Sequence, residues 1–93
     1  MKVKLIELIS MFDDLIDRKQ YREEIANWAV KRRQAEDEGN LEYEPISAED
    51  IIWEGILYLT GCDMKDSPTS YLHSIKNFGD KKKSLFGKKS LQD

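Results

Sequence analysis

The sequence predicts an all-α fold, a small four-helix bundle with a mobile basic tail at its C-terminus. Three observations predict it. Four apolar stripes recur at helical spacing, and no stretch alternates with the period of a strand. The 93 residues are 40% hydrophobic and 35% charged, with only 5 Gly and 2 Pro, which suits one soluble domain and not a disordered chain.

Leu5, Leu8, Ile9, Phe12, Leu15 and Ile16 share one face, opposite Lys4, Glu7, Asp14 and Asp17. That pattern predicts a first helix over about residues 2–17. Arg18-Lys19-Gln20 reads as a break. Tyr21, Ile25, Trp28 and Ala29 open a second stripe, and Arg32 extends it with its stem packed and its head in water. Glu23 and Glu24 in the first turn, and Lys31, Arg32 and Arg33 further along, suit the helix dipole. Gly39 is the expected stop.

Residues 39–46 read as a loop, with Pro45 turning Glu44 away from helical geometry. Ser47 to Asp50 fits a capping box that opens a third helix, about residues 48–60, closed by Gly61. Ile52, Gly55, Ile56 and Leu59 form its main face, and Ile51, Trp53, Leu57 and Tyr58 spread apolar character around it. A helix apolar on most sides is the central element of a small bundle. Gly55, costing up to about 1 kcal/mol relative to Ala in mid-helix, points to close approach by a neighbouring helix. Ser67-Pro68 reads as the start of a fourth helix, with Tyr71, Leu72, Ile75 and Phe78 as its stripe and Gly79 as its stop. Residues 1–80 are thus expected to be a single helical domain and residues 81–93 a lysine-rich flexible tail, with Leu85 and Phe86 its only sticking points.

Charge is unevenly placed. Residues 1–80 hold 10 Lys and Arg against 17 Asp and Glu, a net of −7, whereas residues 81–93 hold 5 Lys against one Asp, a net of +4. The first residues lack the apolar run and cleavage site of a signal peptide, and no run approaches the roughly 18 apolar residues of a membrane span. The single cysteine, Cys62, excludes an internal disulfide and a cysteine zinc site. These features point to the cytoplasm.

Enzymatic chemistry has little to build on. Cys62 and the sole histidine, His73, are the one conceivable nucleophile and base, yet a lone Cys among apolar residues is ordinarily a core residue and a His beside Tyr71 and Leu72 a packing group. There is no glycine-rich phosphate loop and no metal-ligand spacing, so no cofactor and no metal are expected.

The strongest outward signal is acidic. Between Arg33 and Lys65 there is no Lys or Arg, while Glu36, Asp37, Glu38, Glu42, Glu44, Glu49, Asp50, Glu54 and Asp63 all fall there. A one-sign block repels itself, and its usual use is to attract a partner of opposite sign; the plainer reading is a solvated acidic face. Glu42, Tyr43, Glu44, Glu49, Asp50 and Glu54 are the candidate contact residues, with Tyr43 an aromatic anchor between carboxylates. Trp53 suits either the core or this surface. A rival basic surface combines Lys31, Arg32 and Arg33 with the lysine tail and would bind nucleic acid as a small adaptor.

Three stretches together carry a resemblance: Arg22-Glu23-Glu24-Ile25-Ala26-Asn27-Trp28-Ala29; Asp50 to Asp63, containing Ile52-Trp53 and ending Gly61-Cys62-Asp63; and Tyr71-Leu72-His73 to Phe78. Over about residues 1–78 the chain resembles small all-helical bacterial immunity proteins of toxin systems, including contact-dependent growth inhibition. The lysine tail departs from their pattern. The resemblance implies a cytoplasmic inhibitor whose acidic surface covers the substrate site of a cognate toxin domain, a basic nuclease. Nucleic acid itself and membrane are then not the expected partners.

Overall fold

In a computed structural model that describes residues 1–68 and 70–87, the first three apolar stripes become helices close to their expected limits. α1 spans Leu5–Asp17, α2 Arg22–Asp37 and α3 Glu49–Leu59. α1 ends where Arg18 adopts the left-handed conformation (φ 58°) and its N–H reaches back to the carbonyls of Asp14 and Leu15. α2 ends at Gly39 (φ 74°), with Gly39 N–H donating to Glu36 O and Asn40 N–H to Ala35 O, a glycine-closed helix end.

Two short ladders join the helices, against the expectation of an all-α chain. β1 (Lys2–Lys4) pairs in parallel with β2 (Glu42–Glu44), register Val3 to Tyr43. β3 (Lys65–Ser67) pairs antiparallel with β4 (Ser70–Tyr71). The fourth helix is displaced. Ser67 belongs to β3, and Ser74 is the true cap of α4 (Ile75–Lys82): its Oγ accepts from Asn77 N–H at 3.2 Å, and its own N–H donates to Asn77 Oδ1 at 2.8 Å. Gly79 does not stop this helix. The chain remains helical through Lys83–Gly87, so the expected tail begins as ordered structure, while its last six residues, 88–93, lie outside those described.

The core draws on every helix. Val3, Leu8, Phe12 and Leu15 meet Ile25 and Ala29 from α2, Ile52, Ile56 and Leu59 from α3, and Phe78 and Leu85 from the C-terminal segment. Full burial of one such aliphatic or aromatic side chain contributes about 1.5–3 kcal/mol. α1 packs chiefly on α4 and α2 on α3. Gly55 supplies the close approach its position implies: a Cβ there would sit 2.6 Å from Leu8 Cδ2 of α1. Phe12 stacks on Tyr58 at 6.0 Å and takes the edge of Phe86 at 5.8 Å, so Leu85 and Phe86 complete the core instead of trailing from it.

Candidate functional site

The acidic segment does not form one landing surface. β2 carries Glu42 and Glu44 outward, and its pleat turns Tyr43 in against the core, where the Tyr43 hydroxyl donates to Glu36. Burial first and Glu36 second hold that hydroxyl far above its usual pKa. An inward-facing ring cannot serve as the exposed anchor the sequence suggests. Glu44 is met by Lys2 at 3.3 Å and Lys4 at 3.9 Å, and Glu54 by Lys81 at 2.8 Å. Glu49 and Asp50 sit in the first turn of α3, beside half-buried Trp53, and suit its dipole. Of the six candidates, Glu42, Glu49 and Asp50 are exposed and make no ion pair among the described residues. Lysines from the two ends of the chain thus meet two of the nine carboxylates of the lysine-free middle, Glu44 and Glu54.

The rival basic surface is also partly spent. Arg32 lies 4.4 Å over the Trp28 ring, donates to Trp28 O at 3.2 Å and faces Glu7 at 3.8 Å. Its burial lowers the guanidinium pKa, and Glu7 offsets this in part. Lys31 and Arg33 remain exposed. In the C-terminal segment Lys81 is held by Glu54 and Lys82 by Asp13, leaving Lys83 exposed; Lys88 and Lys89 are outside the described residues.

Unpaired cations gather instead where α1 turns into α2. Leu15, Arg18, Gln20, Tyr21, Arg22, Glu23, Tyr71 and Ile75 line a shallow groove of about 350 Å³. Arg22 lies 4.0 Å over the Tyr71 ring and 4.8 Å over that of Phe78, and it donates to His73 O. Lys65 Nζ is 5.6 Å from the other flank of this cluster at Tyr71. The Tyr71 hydroxyl donates to Glu23 at 3.1 Å, and that bond is the first cause raising its pKa. Glu23, the acid that lines the groove, is thereby engaged. Arg18, Lys19, Arg22 and Lys65 make no ion pair with a described side chain, and Tyr21 is 77% exposed among them. The run Arg18-Lys19-Gln20-Tyr21-Arg22 holds three cations and an aromatic within five residues. Read only as a helix break, it conceals this corner.

The Cys62–His73 pair does not assemble. Cys62 is fully buried, its Sγ donates to Arg22 O at 3.4 Å, and burial pushes its thiol up to about 12. His73 packs against Tyr58 at 5.1 Å and Phe78 at 6.3 Å. Among the described residues no group of three His, Cys, Asp or Glu side chains is placed to hold a metal ion, and no helix is long and apolar enough to cross a membrane.

A sequence profile described as "YxzC DNA-binding protein" matches residues 2–84. The chain belongs to this family. The "Uncharacterized protein YxzC" of Bacillus subtilis (strain 168) is 32% identical over 79 residues, which is 85% of this chain and 59% of that protein. The chain therefore spans about three-fifths of the length of this curated relative. No solved structure matches. Family membership overturns the immunity-protein resemblance, together with the toxin-domain partner it implied and the expectation that nucleic acid is not bound. The physical source of that misreading is visible: Ile25, Ala26, Ala29, Ile52, Gly55, Ile56, Leu59, Cys62 and Phe78, which set the helical spacing of the three shared stretches, are all buried. Such a pattern reports helix packing, and many unrelated helical proteins satisfy it.

Proposed function

We propose that this chain is a non-enzymatic DNA-binding protein of the cytoplasm that meets the phosphate backbone at the α1–α2 corner, through Arg18, Lys19, Arg22 and Lys65. Membership of a family described as DNA-binding carries the reading. The corner supports the location, because among the described residues its cations lack carboxylate partners, whereas Lys2, Lys4, Lys81 and Lys82 have them. The acidic body, net −7 over residues 1–80, repels phosphate elsewhere and confines contact to this edge. Neutralising three or four phosphates gives a salt dependence of about −3 in log K against log salt.

Fluorescence anisotropy of labelled DNA with the full chain tests this. Replacing both Arg18 and Lys19 with Ala should weaken binding and flatten the salt slope by about 2, close to one unit for each phosphate no longer neutralised. Replacing Lys31 and Arg33 should leave the slope as it is. Absence of DNA binding at low salt would overturn the function, and an unchanged slope in the Arg18/Lys19 variant would overturn the location.

A further inference from the structure

We propose that Tyr21 is a stacking platform for an unpaired base, so that the corner takes single-stranded DNA in preference to duplex; this rests on the DNA-binding reading above. Tyr21 is the N-cap residue of α2 and is 77% exposed. Its ring caps nothing: Ser, Thr, Asp or Asn would serve the helix better there, and no side-chain capping bond is made. The backbone beneath it is nonetheless fixed. Tyr21 N–H donates to Glu24 Oε1 at 3.2 Å, and Tyr21 O accepts from Glu24 N–H at 3.1 Å and Ile25 N–H at 3.3 Å. A large aromatic surface is thus held in water on a rigid helix start, with the groove at its side.

The surroundings suit a base and its phosphates. Leu15 and Ile75 give the groove an apolar lining, while Arg18 and Arg22 stand at its rim. Sequence-tolerant binders of single strands combine these elements, a π face for the base and cations along the backbone. Duplex DNA is poorly served by the rest of the molecule. A helix entering the major groove passes between two walls of phosphate. α3 would bring Glu49, Asp50 and Glu54 there, and the first turn of α2, the part of that helix at this corner, would bring Glu23 and Glu24, with Lys31 and Arg33 of α2 lying more than two turns beyond Arg22. On α4, Lys76 is paired with Asp80 at 3.0 Å. A single strand can turn its backbone to the cations of one corner and avoid the carboxylates of α3, while Glu23, which lines the groove, is engaged by the Tyr71 hydroxyl and Glu24 by the Tyr21 N–H.

The test compares a labelled mixed-sequence strand of about 20 nucleotides with its blunt duplex, at matched salt, against the full chain. The single strand should bind about tenfold more tightly. Tyr21→Ser places a favoured N-cap residue at the same position and so keeps the helix start; it should weaken single-strand binding about tenfold, the scale of one base–aromatic stack, with duplex binding and salt slope unchanged. Tyr21→Phe should retain the wild-type preference. Equal or tighter duplex binding, or Tyr21→Ser binding the single strand as wild type does, would overturn the inference and leave DNA binding standing. Failure to bind either form would overturn both.

Discussion

The Arg22 guanidinium carbon lies 4.0 Å from the Tyr71 ring centroid, and the Tyr71 hydroxyl reaches back to Glu23, the residue next to Arg22, at 3.1 Å. One pair thereby fastens the start of α2 to β4. Lysine cannot replace this arginine, because an ammonium lacks the flat face that stacks on the ring and the fork that also reaches His73 O. Arg22→Lys should destabilise the chain by about 1–2 kcal/mol, the sum of a cation–π contact and one hydrogen bond. Urea unfolding should show a lower midpoint at unchanged slope.

Arg18 occupies a left-handed position that glycine tolerates better. Arg18→Gly should hold or raise stability, by up to about 1 kcal/mol. The same change should weaken DNA binding. Opposite signs in a thermal melt and a binding titration are the expected result; a fall in both would mean that the side chain packs as well as binds.

Gly55→Ala should destabilise despite improving helix propensity. The added methyl meets Leu8 Cδ2 at 2.6 Å, and Leu8 is fully buried. Overpacking of this kind costs about 1–3 kcal/mol, against a propensity gain of about 1 kcal/mol. A lower melting temperature is expected, relieved when Leu8 is shortened to Val in the same chain.

Leu85→Ala should cost about 2–5 kcal/mol as a buried leucine. Leu72→Ala, at a residue 50% exposed, should cost far less. Paired chemical melts check this. Similar small effects at both sites would return the segment after residue 80 to the status of a tail.

Burial raises the Cys62 thiol from 9.0 to about 12. The folded state therefore favours the protonated form. Its contribution is fully present below about pH 9 and is lost as pH rises toward 12, because the unfolded chain ionises first. Near pH 8 the native thiol should resist alkylation, reacting only as fast as the chain opens. Mass spectrometry with and without urea measures this, and rapid native labelling would contradict the burial.

The helices α1 to α3 are legible because their stripes run for three turns or more, long enough for a 3.6-residue period to stand out. The ladders are not. Lys2–Lys4 and Glu42–Glu44 are each 3 residues long, too short for alternation to register, and their pairing joins opposite ends of a 40-residue interval. Ser67-Pro68 mimics a helix start, whereas the Ser74–Asn77 cap uses Asn in place of the usual Glu or Gln. Leu85 and Phe86 are hidden among lysines. The acidic block is plain in composition, but the pairing of Glu44 and Glu54 within it is not, because their lysine partners lie far away in sequence. The corner at Tyr21 is spelled out in one five-residue run and needs only Tyr71 and Lys65, from a distant hairpin, to complete it.

The clasp of terminal lysines over central glutamates makes distant positions answer to one another. Reversing charge at Glu44 alone would set three cations side by side, and doing so at Glu54 would strand Lys81 against a like charge. Positions 2, 4 and 44, and separately 54 and 81, should therefore change in concert as the lineage diverges, whereas Arg18, Lys19 and Tyr21, answerable to no internal counterpart, should be kept or lost according to the ligand alone.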